Sequence, residues 1–262
     1  QQGSLVTPNA KLIALRTIAT KEILRFARIW IQTILPPVIT MALYFIIYGN
    51  LIGPRIGQMD GFDYMEFIIP GLIKMAVITN SYSNVVSSFY GSKFQRHIEE
   101  MIISPTPNYI ILIGYVLGGV TRGLSVGVAV TLVSLVFHPL NIHNLAVILS
   151  MILLTAILFS LAGLINGVYA RSFDDISIIP TFVLTPLTYL GGIFYSISML
   201  PGFWQTMSLG NPILYMVNAF RYGFLGASDI SLAASYAISI GFIVVLYLFS
   251  LYLLRKGHGI RT

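Results

Sequence analysis

Ser125 lies in Gly-Leu-Ser-Val-Gly, residues 123–127, which fits the G-x-S-x-G surround of a hydrolase nucleophile. A serine in that role needs a histidine within hydrogen-bond reach. His97, His138, His143 and His258 all fall at the ends of long apolar runs or outside them, whereas Ser125 falls in the middle of one. A nucleophile elbow is also a strand-to-helix turn, not a site among packing glycines. An intramembrane serine hydrolase using Ser125 is therefore a lesser alternative. The stretch Tyr90 to Lys93 (YGSK) lacks phosphate-loop spacing, and there is no H-E-x-x-H, so the chain has no machinery of its own for ATP or metal-assisted hydrolysis. Asp60, Asp63 and Glu66 are three apart but form no defined ligand loop; they read as solvated, and no metal is assigned. With no cysteine, thiolate and disulfide chemistry are excluded.

The elements that must position these residues belong to a membrane. Of 262 residues 56% are hydrophobic and 9% charged, with a mean hydropathy of +0.84; soluble domains carry about 25% charge. Six windows reach the roughly 20 residues that a helix needs to cross hydrocarbon: 30–52, 67–90, 109–137, 145–170, 176–200 and 230–254. Backbone groups in lipid must be paired within the segment, so these are helices and the fold is all-α. Residues 1–262 read as one membrane domain, with a six-span bundle over 30–254 and residues 1–10 as a loose end. The first apolar run is too long for a signal-peptide core. The net charge of +6 does not indicate nucleic acid, because its placement follows the membrane. Eleven Lys and Arg flank one side (Lys11 to Arg28, Lys93, Arg96, Arg171, Arg255, Lys256, Arg261), against Arg55 and Arg221 on the other. Both termini are expected in the cytoplasm.

Two charged pieces then fall on the cytoplasmic side. Residues 91–107 (GSKFQRHIEEMIISPTP) place Phe94, Ile98, Met101 and Ile102 on one face and Lys93, Arg96, His97, Glu99 and Glu100 on the other, with Pro105 as the stop. Two roles fit this short amphipathic helix: a connector in the headgroups, or a docking helix for a cytoplasmic partner, which accounts for both charge signs. Residues 11–27 form a second amphipathic helix, with Arg16 and Glu22 on its charged face, feeding into the first span. It fits either an anionic-lipid anchor or a partner contact. After the fifth span, LPGFWQTMSLG and NPILYMVNAFRYGFLG are too short to cross and read as re-entrant or interfacial helices punctuated by Pro201, Gly210, Pro212 and Gly226.

Within the spans, Gly114, Gly118, Gly119, Gly123 and Gly127, together with Gly163 and Gly167, permit close helix packing. Pro36, Pro37, Pro180 and Pro186 should bend or break their helices. Arg122 is about 20 Å beyond Tyr109 and is expected to hold a structural hydrogen bond. Lys74, about 10 Å below Phe67, is expected to snorkel outward. Asn80 and Asn84, and Thr185 in the fifth span, are either path-lining groups or inter-helix hydrogen-bonding groups. A stand-alone gradient-driven transporter is a second alternative, although such proteins usually place several ionisable groups near midplane.

The order of these pieces resembles the permease subunits of type-2 ABC transporters, the exporter-like class. Glu99, Met101, Ile102, Ser104 and Pro105 resemble that family's cytoplasmic coupling segment, and Asn211, Pro212, Phe220, Arg221 and Tyr222 its pattern after span five. The resemblance covers nearly the whole chain and implies an ATP-driven exporter of an amphipathic or lipid-linked substrate in a bacterial inner membrane. It implies a homodimer of permease chains with two copies of a cytoplasmic ATPase, which binds ATP and Mg; this chain binds no cofactor. Phe94, Arg96, Ile98, Glu99 and Glu100, with Arg16 and Glu22 of the N-terminal connecting helix, become ATPase-coupling residues. Tyr44, Asn80, Asn84 and Thr185 become the substrate path.

Overall fold

A computed structural model describes residues 7–257 and 259–260 of the chain; His258, Arg261, Thr262 and residues 1–6 lie outside the described residues. Helix α1 (Pro8–Ala27) starts where proline is tolerated, with the Thr7 hydroxyl accepting from the Ala10 amide at 3.4 Å. It turns into the first apolar stretch through an elbow closed by Thr33, whose hydroxyl donates to the carbonyls of Phe26 (3.0 Å) and Ile29 (3.2 Å). That stretch comprises α2 (Trp30–Thr33), α3 (Leu35–Tyr44), a π-helical segment (Phe45–Ile52) and α4 (Gly53–Ile56). A short hairpin follows, β1 (Gln58–Met59) against β2 (Phe62–Asp63), with Gln58 opposite Asp63 and Met59 opposite Phe62.

The bundle is organised on α5 (Tyr64–Phe94), which packs chiefly against α7 (Asn108–Phe137) and α8 (Leu145–Tyr169), with the short α6 (His97–Ile103) between α5 and α7 in sequence. Beyond α8 come α9 (Asp175–Ile179), a π-helical segment (Pro180–Leu184), α10 (Thr185–Tyr189), α11 (Gly202–Ser208), α12 (Pro212–Leu225) and α13 (Leu232–Lys256). Close packing depends on glycine where backbones meet. A Cβ on Gly163 of α8 would stand 2.6 Å from the carbonyl oxygen of Tyr82 in α5.

The stretches 30–56, 108–137, 145–169 and 232–256 are each apolar and long enough to cross a membrane. The chain is an all-α membrane protein. Helix α5 has the length as well, 31 residues or about 46 Å. Its lower hydropathy follows from its place: at the centre of the bundle its polar side chains face neighbouring helices rather than lipid.

The fifth expected span is not one helix from 176 to 200. Its helical part ends at Tyr189, after which Gly191 and Gly192 open the backbone; Gly192 has φ +74°. Hydropathy stays high through this break because Ile193 is fully buried and packs on Gly71 of α5. Helix α12 fills the adjoining space, with eleven of its fourteen residues buried.

Candidate functional site

The segment expected to couple to a partner divides at Arg96, whose φ of +62° places it in the left-handed region. Phe94 is the last residue of α5 and is not part of the amphipathic helix, which begins at His97. Its ring lies 5.1 Å from Phe173, and Phe173 meets Tyr90 edge-on at 4.9 Å. Ile98 anchors α6 to the bundle, fully buried in a cluster with Phe89, Ile111, Tyr115, Leu253 and Ile260, and the half-buried Met101 and Ile102 pack against the same cluster. Glu99 and Glu100 occupy the first turn of α6, where negative charge suits the helix dipole. Ser104 ends the helix, its hydroxyl donating to the Met101 carbonyl at 2.6 Å. Beside α6 an open groove of about 620 Å³ is lined by Lys93, Phe94, Arg96, Glu99, Arg171 and Ile260, among others. Lys93 closes its base by donating to the carbonyls of Val168 (2.7 Å) and Ala170 (2.6 Å) at the end of α8.

Helix α1 does more than rest on the surface. Its inner face enters the channel between α5 and α7, where a Cβ on Gly118 would lie 2.6 Å from the Glu22 Cβ. Glu22 is therefore 1% exposed, and its carboxylate accepts from Ser88 and pairs with Arg25 at 3.8 Å. Burial pushes its pKa up, opposed by the Ser88 hydrogen bond and by Arg25 and Lys21. Expected at a partner-facing surface, it faces the spans, whereas Arg16 is exposed.

Asn80, Asn84 and Ser88 recur every four residues down one face of α5 and take these charges in turn. Arg122 of α7 donates to Asn80 Oδ1 at 3.2 Å, and Arg25 of α1 donates to Asn84 Oδ1 (3.0 Å) and to the Asn84 carbonyl (2.9 Å). Both asparagines are buried. The ladder links α1, α5 and α7. Its i+4 spacing, matched by Gly118 and Arg122 on α7 and faced by the i,i+3 pair Glu22–Arg25 on α1, is the sequence signal that reveals it, and Ser88 and Arg25 are the members that residue type alone did not single out.

Tyr44 and Thr185 form a separate group. Tyr44 stacks on Tyr48 at 5.6 Å and meets Phe194 at 5.8 Å. Tyr189 lies beside it, one helical turn from Thr185 on α10. Thr185 is exposed, and its hydroxyl returns to the Pro180 carbonyl at 2.9 Å.

Three further polar residues are accounted for within the bundle. Lys74 does not snorkel; it is fully buried, donating to the Met151 carbonyl at 2.6 Å and to the Thr155 hydroxyl, with its amine 4.6 Å from the centre of the Phe220 ring. The nearest acceptors belong to α8, and reaching them turns the side chain into the bundle instead of toward its surface. Arg221 of α12 is 3% exposed and gathers open backbone: it donates to the carbonyls of Gly192 (2.7 Å), Ile193 (3.3 Å) and Phe67 (3.2 Å) over the Phe67 ring. Ser125 donates to the Thr121 carbonyl of its own helix at 2.7 Å.

Residues 13–225, from within α1 to the last residue of α12, match the family described as ABC-2 type transporter. The chain belongs to the ABC-2 type transporter family. It is 59% identical over 250 residues to the inner membrane transport permease YadH of Escherichia coli (strain K12), covering 95% of this chain and 98% of that one. More distant likeness runs to nodulation protein J of Rhizobium leguminosarum bv. viciae, 24% over 215 residues (82% and 83% of the two chains), and to that of Rhizobium meliloti (strain 1021), 22% over 237 residues (90% of each). As an ABC-2 permease the chain is a transport subunit of an integral membrane system, in a family that works with an ATPase partner. The ABC-2 match takes in the α1 ladder, α6 and the Arg221 junction, whereas α13 lies beyond it.

Proposed function

We propose that this chain is the membrane half of an ATP-driven exporter in a bacterial inner membrane, paired with an identical chain and with two copies of a separate ATPase that holds ATP and Mg. The six spans are residues 30–56, α5, α7, α8, the broken segment that begins with α9 and α10, and α13, with α11 and α12 re-entrant and both termini in the cytoplasm. The observation that carries this reading is the construction of α6: a charged helix joined to the bundle by one buried anchor, Ile98, and by a left-handed hinge at Arg96. Glu99, Arg96 and Phe94 line the groove beside it and, with the exposed Glu100 of the same helix, form the docking surface. Force applied there passes directly into the end of α5, and through the ladder of Asn80, Asn84 and Ser88 into α1 and α7.

Substrate is amphipathic or lipid-linked and passes between two permease copies along the face bearing Tyr44 and Thr185, where Ile39, Leu43, Phe182 and Val183 are also exposed. Asn80 and Asn84 serve the path indirectly, by holding Arg122 and Arg25. Reversing Glu99 to Lys tests the docking role. In the reconstituted complex, ATPase activity that responds to the permease should fall about tenfold, the effect of roughly 1.4 kcal/mol lost at a charged contact, while the permease elutes unchanged. Full activity with Glu99→Lys removes α6 from the coupling path. Transport driven by an ion gradient with no ATPase present returns the chain to the secondary-transporter class.

A further inference from the structure

The outward face of α1 is chemically unlike α6. Arg16, Lys21, Arg25 and Arg28 line an open groove of about 690 Å³ along it, together with Thr17 and Thr20. Ile13 and Leu24 complete its walls, 65% and 42% exposed. These positions recur at three- and four-residue spacing and lie opposite the face that meets α7 through Ile18 and Glu22. The only acidic residue of α1, Glu22, is turned inward and buried. Among the described residues Arg16, Lys21 and Arg28 have no carboxylate partner, and Arg25 reaches the one available.

We propose that this face of α1 is a binding site for anionic phospholipid, with lipid phosphates held along the row of Arg16, Lys21 and Arg28, which spans about 18 Å of helix, and the acyl chains lying along Ile13 and Leu24. A surface made for a folded protein generally carries both signs of charge, as α6 does; a helix face with cations and apolar groups but no acid complements an anionic bilayer surface. Trp30, 55% exposed, follows at the elbow of Ile29 and Thr33 where α1 turns into the first apolar stretch, a place in the chain that suits an interfacial tryptophan. Lipid held there fixes the height of α1 and so the depth at which Glu22 and Arg25 reach Ser88 and Asn84. Arg16 thereby faces headgroups instead of the ATPase. The site rests on the reading of α1 as a cytoplasmic-surface helix.

The test uses the full chain alone in nanodiscs of equal phosphatidylglycerol and phosphatidylcholine. Both leaflets are then identical and no ATPase is present, so the result is independent of orientation and of the motor. Retained lipid is counted by native mass spectrometry. Wild type should retain phosphatidylglycerol preferentially. Each of Arg16→Gln, Lys21→Gln and Arg28→Gln should reduce the preference roughly fivefold, and the triple variant more than tenfold. Raised salt should weaken it. The charge-preserving pair Arg16→Lys and Arg28→Lys should keep it, and the single variants retain a reading if the triple variant misfolds. Undiminished preference in the neutral variants overturns the proposal. So does unchanged lipid retention by neutral variants that, purified separately from cells, lose a co-purifying ATPase, which makes this face a protein contact; in that case exporter function still stands.

Discussion

The two ends of α5 are built in opposite ways. Near Phe67, Arg221 joins α12, the open segment around Gly192 and the start of α5 through three carbonyls and a ring. At the other end α5 gives way to α6 through a single left-handed residue, and Ile98, with the half-buried Met101 and Ile102 beside it, seats that short helix by apolar packing. The contrast, on the proposed function, separates a frame from a lever. The first end is tied by several bonds to one buried cation, while the helix proposed to receive force is hinged and held by a small apolar contact.

The comparison is broken most severely at the tied end. Arg221→Ala leaves buried carbonyls without donors, each costing about 1–3 kcal/mol, and removes a cation–π contact. The thermal midpoint of the purified permease should fall sharply, by the equivalent of about 3 kcal/mol or more, with Arg221→Lys recovering part of the loss. An unaltered midpoint would mean that the junction is held by packing alone.

A smaller effect belongs to α1. Because the pKa of Glu22 is raised in the folded chain, the native state binds its proton more tightly than the unfolded state does. Stability should therefore rise as pH falls from neutrality through the raised value and level off below the ordinary carboxylate pKa. Comparing denaturation of wild type and Glu22→Gln across that window checks the sign: the variant should lose this part of the pH dependence, and an identical slope in both rules the carboxylate out.

The least costly change is at the hinge. Arg96→Gly removes a left-handed non-glycine residue and should leave stability within about 1 kcal/mol of wild type, or slightly higher. Permease-stimulated ATPase activity should nevertheless drop severalfold, because a looser hinge transmits less. If activity and stability move together, the hinge has no separate mechanical role.

Much of this frame was legible in the chain. The apolar windows locate α7, α8 and α13 to within a few residues, and Pro201, Gly210, Pro212 and Gly226 mark the ends of α11 and α12, with Asn211 capping the latter. The missing information concerned facing. Hydropathy does not distinguish lipid from a neighbouring helix, so it extends the fifth span across Gly191 and Gly192 and gives Lys74 a route to the surface. Helical periodicity makes α1 amphipathic but sets Glu22 on the charged face with Arg16, whereas Glu22 enters a groove opened by Gly118. Phe94 fits the periodicity of α6 and still belongs to α5, because the break at Arg96 arises from backbone conformation rather than side-chain pattern.

The Arg221 junction also bears on leakage. Ile193 sits against Gly71, about 10 Å along α5 from Tyr64, so non-helical backbone runs inside the protein near the mouth of the bundle. Unpaired carbonyls at such a place would gather a file of water, and a water file conducts protons. With the guanidinium already occupying the carbonyls of Gly192 and Ile193, there is little for that file to assemble on, so the junction that braces the permease also closes a route for proton leakage.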